Sequence, residues 1–252
     1  MGVIGGQVGT RLLTYLSPAG EGPFPQDVST AYIGRSKLET LVGAGIWDET
    51  RDKVVLDFGC GRGEACVEIA QHGARRVVGL DINEKWLALA RINASAAAVE
   101  HLCTFTETWT EPVDIILSVD SFEHFADPAA ILRHMRSMLA PTGSVVVSFG
   151  PTWLHPLGGH LYSIFPYSHL LFTERALIDW RTRFKADGAR SISDSGLNRM
   201  TIRRFETLID ESPFRFASFE PVPIRRLKRL HHRFSREFTT AFVRCRLVPK
   251  ES

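Results

Sequence analysis

A glycine-rich turn between a predicted strand and a predicted helix has the residue types of a ligand site. Residues 54–63 read Val-Val-Leu-Asp-Phe-Gly-Cys-Gly-Arg-Gly, so Asp57 precedes the glycines Gly59, Gly61 and Gly63. Glycine lets the chain turn sharply and approach a ligand closely. A dinucleotide site has the spacing Gly-x-Gly-x-x-Gly, and a carboxylate here would repel a pyrophosphate but attract an amino group. We therefore expect the turn to bind a nucleoside that carries a cationic amino acid.

A second carboxylate, Asp81, stands at the end of the next predicted strand, eighteen residues after Gly63. A carboxylate at that place in an α/β sheet can accept hydrogen bonds from both hydroxyls of a ribose. The alternative is that Asp57 and the glycines form only a tight structural turn. The combination of strand, glycine turn, helix and a correctly spaced acid favours the ligand site.

Three histidines lie in residues 137–173, a stretch without a single Asp, Glu, Lys or Arg. Histidine can take a proton from an alcohol or a phenol near neutral pH. His160, which follows a Gly-Gly pair, is our first candidate for such a base, and His155 is the second. For each of them a structural hydrogen bond is the alternative. The spacing of His155, His160 and His169 fits no zinc-ligand template, so we expect no metal site.

The same uncharged stretch predicts a lid over an acceptor pocket. A membrane-spanning helix needs about 20 consecutive apolar residues, whereas prolines at positions 151, 156 and 166 interrupt this one. The stretch follows the fifth predicted strand, at the sheet edge where ligands bind in open α/β folds. We expect its larger apolar side chains to wall the pocket, with simple burial in a core as the alternative for each. These side chains are Trp153, Leu157, Tyr162, Phe165 and Tyr167.

Alternating strands and helices must position these groups. The sequence predicts strands at 53–57, 76–81, 102–106, 113–119, 144–149, 215–220 and 238–247, and helices at 29–43, 64–72, 84–98 and 128–139. Apolar strands separated by helices of this length indicate a doubly wound α/β domain. We divide the chain into a flexible lead with an N-terminal helix (1–50), a core (51–150), a lid (151–200) and a C-terminal part (201–252).

Three segments, 54–63, 77–83 and 113–128, resemble class I S-adenosylmethionine (SAM)-dependent methyltransferases, especially the group with a Glu-His pair after the fourth strand, here Glu123 and His124. The resemblance covers residues 35–150 well and the last two strands more loosely. It implies SAM as cofactor and a Rossmann-like sheet of seven mostly parallel strands whose last strand is antiparallel.

The resemblance also implies roles for residues at the ends of the first four strands. Asp57 and the three glycines would hold the methionine part of SAM, and His124 would fix local structure beside the cofactor. The remaining assignments are Asp81 to the ribose, Ile82 to the adenine face, Glu107 or Thr108 to the adenine amino group, and Ser118 and Asp120 to the methionine and the reactive methyl.

A basic segment lies near the C-terminus of a chain whose net charge is only +2. Residues 223–238 are rich in Arg and Lys, and apolar residues recur every three or four positions, which predicts one amphipathic helix. Such a helix could be a connector packed on the sheet, a contact with an anionic membrane surface that presents a lipid-linked acceptor, or a contact with nucleic-acid phosphates. Nucleic acid is the least favoured, because aromatic and basic residues do not interleave as in a stacking platform.

These observations predict a SAM-dependent methyltransferase (EC 2.1.1.-) that methylates a hydroxyl of a small-molecule, glycan or lipid-like acceptor. Oxygen is favoured over nitrogen because the lid has histidines and no acidic cluster to hold an amine. The alternatives are N- or C-methylation of a natural product or nucleobase, a SAM-binding protein without turnover and, as the poorest fit, a dinucleotide oxidoreductase. Four cysteines without a Cys-x-x-Cys pair, and no secretory signal, indicate a cytoplasmic protein, with peripheral membrane attachment as a further option.

Overall fold

The computed structural model describes residues 2–18 and 36–251. Seven strands form one sheet in the order β3-β2-β1-β4-β5-β7-β6. The strands are β1 Val54–Phe58, β2 Arg76–Leu80, β3 Cys103–Thr106, β4 Val113–Val119, β5 Leu139–Phe149, β6 Phe214–Pro223 and β7 Thr240–Pro249. The first five strands pair in parallel, and β7 is antiparallel to both of its neighbours. The predicted seven-stranded, doubly wound α/β sheet is confirmed.

The helices are α1 Gly6–Leu16, α2 Lys37–Val42, α3 Ile46–Thr50, α4 Glu64–Gln71, α5 Glu84–Ala96, α6 Pro128–Met138, α7 Ser168–Leu171, α8 Glu174–Arg181, α9 Ile202–Asp210 and α10 Arg236–Thr239. Local sequence explains where several of them begin. The side chains of Asn83 and Asp127 accept backbone N–H groups at the starts of α5 and α6, and Pro128 occupies the first turn of α6. Of the predicted helix at 29–43, residues 29–35 lie outside the described residues.

Helices cover both faces of the sheet, and each face has its own apolar core. One core contains Phe122, Met135 and Phe205, and the other contains Ile69 and Leu87. Successive residues of the central strands are buried against opposite cores because side chains alternate along a strand. Burial on both faces explains why these strands read as continuous apolar runs in the sequence.

A third apolar cluster joins the N-terminal helix α1 to the lid. Leu13 of α1 packs with Phe172 and Trp180 and is fully buried. The Trp180 indole N–H donates to the carbonyl oxygen of Ser17 at 3.2 Å. Residues 2–18 are therefore held against the lid, although the sequence suggested a flexible lead. The division of the chain at residues 50, 150 and 200 stays a prediction.

The connection between β6 and β7 differs from the single helix predicted at 223–238. It contains a 3-10 turn, Arg225–Leu230, followed by the one-turn helix α10. The reason is geometric, because Pro223 and Thr240 are paired in adjacent antiparallel strands. A straight helix of this length would end about 24 Å from its start at 1.5 Å per residue, so the chain must bend back. The 3-10 turn has no buried residue, whereas Thr239 at the end of α10 is buried, so the segment connects β6 and β7 but is not one helix packed along the sheet.

We predict that Leu13→Ala destabilises the fold by about 2–4 kcal/mol, because it leaves a cavity in the third cluster. The matched control is Val8→Ala on the same helix, where the side chain is 76% exposed and the change should stay within about 0.5 kcal/mol. Denaturant unfolding of both variants measures the difference. Equal stabilities would show that α1 is not part of the lid core.

Candidate functional site

The glycine turn lies at the carboxyl end of β1 in the middle of the sheet. Gly59, Gly61 and Gly63 have φ of +86°, +52° and +75°, a region that favours glycine. A Cβ on Gly63 would lie 2.8 Å from the Cβ of Ala90, so this position also needs the absence of a side chain. The turn is thus held close to α5, and its backbone faces a neighbouring cavity.

That cavity has a volume of about 250 Å³ and is bordered by the turn, α2, α4 and the end of β4. Its lining residues are Lys37, Leu38, Asp57, Gly59, Cys60, Gly61, Glu64, Ala65, Glu68, Val119 and Asp120. Asp57 is buried, and burial raises the pKa of its carboxyl to about 6, while a contact with the Cys66 thiol at 3.5 Å acts in the opposite direction. A buried carboxylate on a cavity wall suits the ammonium group of an amino acid.

Asp120 reaches the same cavity from β4. Its backbone is left-handed, with φ of +50°, and its N–H donates to the Ser148 carbonyl oxygen of β5 at 2.8 Å. Its carboxylate pairs with Lys37 Nζ at 2.6 Å. Helix α2 lies within the helix predicted at 29–43, but the sequence reasoning assigned Lys37 no role, because nothing in the local sequence shows which of its side chains reaches the turn.

Asp81 orders the turn from the neighbouring strand. One carboxylate oxygen accepts the Gly61 N–H and the other accepts the Asn83 N–H, both at 2.9 Å. Each oxygen has a further lone pair for a ribose hydroxyl. Ile82, the next residue, is 93% exposed and is free to cover an adenine.

Six predicted cofactor residues are not among those that line this cavity: Gly63, Asp81, Ile82, Glu107, Thr108 and Ser118. Glu107 and Thr108 follow β3 and are exposed to solvent. Ser118 is fully buried, and strand alternation places it on the face opposite to Leu117 and Val119. Their assignments to SAM stay predictions.

Glu123 is a buried acid beside the same edge of the sheet. One of its oxygens accepts the Gly150 N–H at 3.3 Å, and Oε2 is buried without a hydrogen-bond partner in the described part of the chain. Burial, and then the charge of Asp120, raise the pKa of Glu123 to about 8. Its carboxyl is therefore protonated near neutral pH and can donate a hydrogen bond. The sequence reasoning noted Glu123 only as half of the Glu-His pair.

The three lid histidines differ in their bonding. Nδ1 of His155 accepts the Leu157 N–H at 2.9 Å, and Nε2 of His169 lies 2.6 Å from the carbonyl oxygen of Trp153. His160 has a buried Nδ1 without a partner among residues 2–18 and 36–251, and its ring centroid is 5.5 Å from that of His124. Burial lowers the pKa of each lid histidine to about 4. At neutral pH all three are uncharged, and His160 keeps an uncommitted ring nitrogen.

Several lid aromatics form a core of their own, which corrects part of the predicted pocket wall. Tyr162 is 1% exposed and donates its hydroxyl to Ser195 Oγ at 2.9 Å. Trp153 and Phe165 pack against the same cluster as Leu13. Simple burial in a core, the alternative to a pocket wall, therefore applies to Tyr162, whereas Trp153 and Phe165 are half-buried.

Together, the sheet order, the glycine turn and the two strand-end carboxylates define a SAM-dependent methyltransferase of class I. The residues fit this cofactor, since the buried Asp57 carboxylate lies on the cavity wall beside the backbone of Gly59 and Gly61. A model of the methyltransferase domain matches residues 35–201. The chain belongs to this methyltransferase domain family.

Known relatives and structures agree with this class. Ubiquinone biosynthesis O-methyltransferases of Neisseria meningitidis serogroup C and serogroup A are each 32% identical, over 60% and 58% of this chain. The alignments cover 66% and 64% of those proteins, so the chain spans just under two thirds of their length.

Two solved structures share the fold. An S-adenosylmethionine-dependent methyltransferase from Mesorhizobium loti has a TM-score of 0.53 at 22% identity, over 79% of this chain and 92% of that one. The mitomycin 7-O-methyltransferase MmcR has a TM-score of 0.52 at 13% identity, over 85% of this chain and 51% of that one.

In the described part of the chain, no helix is long and apolar enough to span a membrane.

We predict different effects for two alanine substitutions in the glycine turn. Both impose a side chain on a left-handed residue, at a cost of about 1 kcal/mol. Gly63→Ala adds the clash with Ala90 and should lose a further 1–3 kcal/mol or so of unfolding free energy. Gly61→Ala has no atom within 4 Å of its new Cβ and should chiefly weaken SAM binding. Denaturant unfolding and calorimetric SAM titration separate the two effects, and identical profiles would contradict this geometry.

We predict that Glu123→Gln changes the pH dependence of stability. Because the folded-state pKa of about 8 lies above the ordinary 4.5, the stability contributed by neutral Glu123 is complete below pH 4.5 and is lost as pH rises through 8. The isosteric amide does not ionise, so wild type and variant should differ least near pH 4.5. By pH 9 the variant should have gained on the order of 4 kcal/mol relative to wild type. Unfolding curves across this pH range measure the difference in stability. A difference that does not change with pH would contradict the raised pKa of Glu123.

Proposed function

We propose that this protein transfers the methyl group of SAM to a hydroxyl of a small-molecule acceptor, of lipid-like or glycan-like chemistry, in the cytoplasm. The observation that carries the proposal is the uncommitted neutral imidazole of His160 in a lid joined to the sheet edge where the cofactor cavity opens. SAM, when bound, supplies an electrophilic methyl on a sulfonium. The chain's own residues then have to hold the cofactor, orient the acceptor and take the proton of its hydroxyl.

The carboxylates at the strand ends would hold the cofactor. Asp57 would bind the ammonium group of the methionine part, and Asp81 would bind the ribose hydroxyls with its remaining lone pairs. Asp120, with Lys37 beside it, would border the methionine part. Fixing these groups aligns the acceptor oxygen, the methyl carbon and sulfur, which is the main requirement of an in-line displacement.

A side chain of the lid would deprotonate the acceptor hydroxyl. SAM held by the strand-end carboxylates would give up its methyl to the acceptor oxygen, and the electron pair of the broken carbon–sulfur bond would stay on sulfur. The hydroxyl proton would pass to His160, which is neutral at pH 7 because burial lowers its pKa to about 4, and which is for the same reason a weaker base than a free histidine. Protonated Glu123 can donate a hydrogen bond at the same edge.

The relatives support oxygen as the methylated atom. Those reported above are O-methyltransferases of ubiquinone biosynthesis, a name that also favours an apolar, lipid-like acceptor.

We predict that SAM affinity falls as pH decreases through about 6. The Asp57 carboxyl has a raised pKa of about 6 and must be ionised to bind an ammonium group. Wild-type affinity should drop roughly tenfold for each pH unit below 6, whereas Asp57→Asn should bind weakly and without this dependence. Calorimetric titration with SAM between pH 5 and pH 8 measures both, and a pH-independent wild type would contradict the role of Asp57.

We predict that His160→Gln lowers methyl transfer by about 10²–10⁴-fold without changing SAM affinity. His155→Gln is the matched control, because Nδ1 of His155 is already occupied by a backbone N–H, and its loss should be smaller. The assay incubates methyl-labelled SAM with cell extract and separates small molecules, lipids and glycans, protein, and nucleic acid. Label in protein or nucleic acid would contradict the acceptor class, and N- or C-methylated products would replace the O-methylation proposal. SAM binding without label in any fraction would favour the non-catalytic alternative.

A further inference from the structure

The connection between β6 and β7 leaves the sheet as a basic projection, residues 224–239. Five of its cationic side chains are exposed: Arg225, Arg226, Lys228, Arg229 and Arg233. None of the five forms an ion pair with a carboxylate within residues 2–18 and 36–251. The one acid of the projection, Glu237, is occupied elsewhere. This leaves a concentrated positive field facing solvent.

Large apolar side chains stand among these cations. Leu230 is 61% exposed, Phe234 78% and Phe238 44%. The Arg233 guanidinium lies 4.6 Å from the centroid of the Phe234 ring, so cation and ring are presented together. Exposed apolar groups surrounded by basic ones are typical of segments that enter the headgroup region of a membrane.

The projection is attached firmly and at a definite place. The Glu237 carboxylate accepts the Ile202 and Arg203 N–H groups, at 3.0 and 2.8 Å, where α9 begins. Phe149, the last residue of β5, pairs with Val243, so the start of β7 extends past the carboxyl end of β5. The projection therefore lies on the same edge of the sheet as the glycine turn and the lid.

We propose that residues 224–239 dock this protein onto the surface of an anionic phospholipid bilayer. Leu230, Phe234 and Phe238 enter the interface, and the five exposed cations contact the headgroups, each adding to the attraction. The inference rests on the proposed function for its purpose, since docking at this edge turns the acceptor site toward lipid-like molecules. Binding to a nucleic acid through the same cations, with Phe234 and Phe238 stacked on bases, is the contrary outcome of the test.

Vesicle flotation with the full chain tests this proposal. The probes are vesicles of phosphatidylcholine alone and vesicles of phosphatidylcholine and phosphatidylglycerol in a three-to-one ratio. We expect binding to the anionic vesicles only, weakened by salt. Arg225→Gln and Arg226→Gln should each reduce binding roughly fivefold, and Phe234→Ser should reduce it about tenfold. Tyr15→Ser is the matched control, as this aromatic on α1 is 82% exposed and should not change binding.

Outcomes that overturn the proposal are distinct from those that overturn the proposed function. Equal binding to both vesicle types, equal effects of Phe234→Ser and Tyr15→Ser, or binding to duplex DNA or RNA in place of vesicles would each overturn docking. Calorimetric SAM titration of the same preparations confirms that the variants are folded. SAM binding and methyl transfer without vesicle binding would leave the function standing, and vesicle binding without SAM binding would leave only the docking.

Discussion

The parallel pairing of β1 with β4 in the middle of the sheet is the constraint on which the site depends. Chain connections leave β1 toward one side, through β2 and β3, and leave β4 toward the other, through β5. The sheet therefore opens a crevice at the carboxyl ends of these two strands, which is where open α/β folds bind ligands. Asp57 from β1 and Asp120 from beyond β4 meet at this crevice although they are far apart in sequence. The glycines matter because they let the backbone turn there without filling the crevice.

Burial gives the acids of this crevice their different properties. Asp57 and Glu123 are both nearly inaccessible, yet Asp57 is raised only to a pKa of about 6, whereas Glu123 is raised to about 8 with one oxygen unpartnered. At neutral pH one carboxyl is mainly charged and the other mainly neutral, so the same edge of the sheet offers an ion for a cationic group and a donor for an oxygen. The lid histidines have the complementary property, because burial keeps them uncharged and leaves His160 able to accept a proton.

Parts distant in sequence combine around this edge. The lid is completed by α1, whose Leu13 and Ser17 contact residues more than 140 positions later. The β6–β7 projection is tied through Glu237 to the start of α9, directly after the lid. Cofactor turn, lid and projection thus share one side of the molecule, an arrangement suited to an enzyme that receives its acceptor from a surface.

The sequence by itself determined the seven strands, the helices α4, α5 and α6 and the cofactor turn, because strand burial on both faces and left-handed glycines leave local patterns. Its predictions did not include α1, α8 or α9. The tertiary structure decided what depends on distant partners. It brought Lys37 over the turn, placed Ser118 on the opposite face and turned Tyr162 into the lid core. It also bent residues 224–239, since the paired ends at Pro223 and Thr240 forbid the straight helix that their periodicity favours. Local patterns record the conformation and burial of a residue, whereas neighbours across the fold are set by packing.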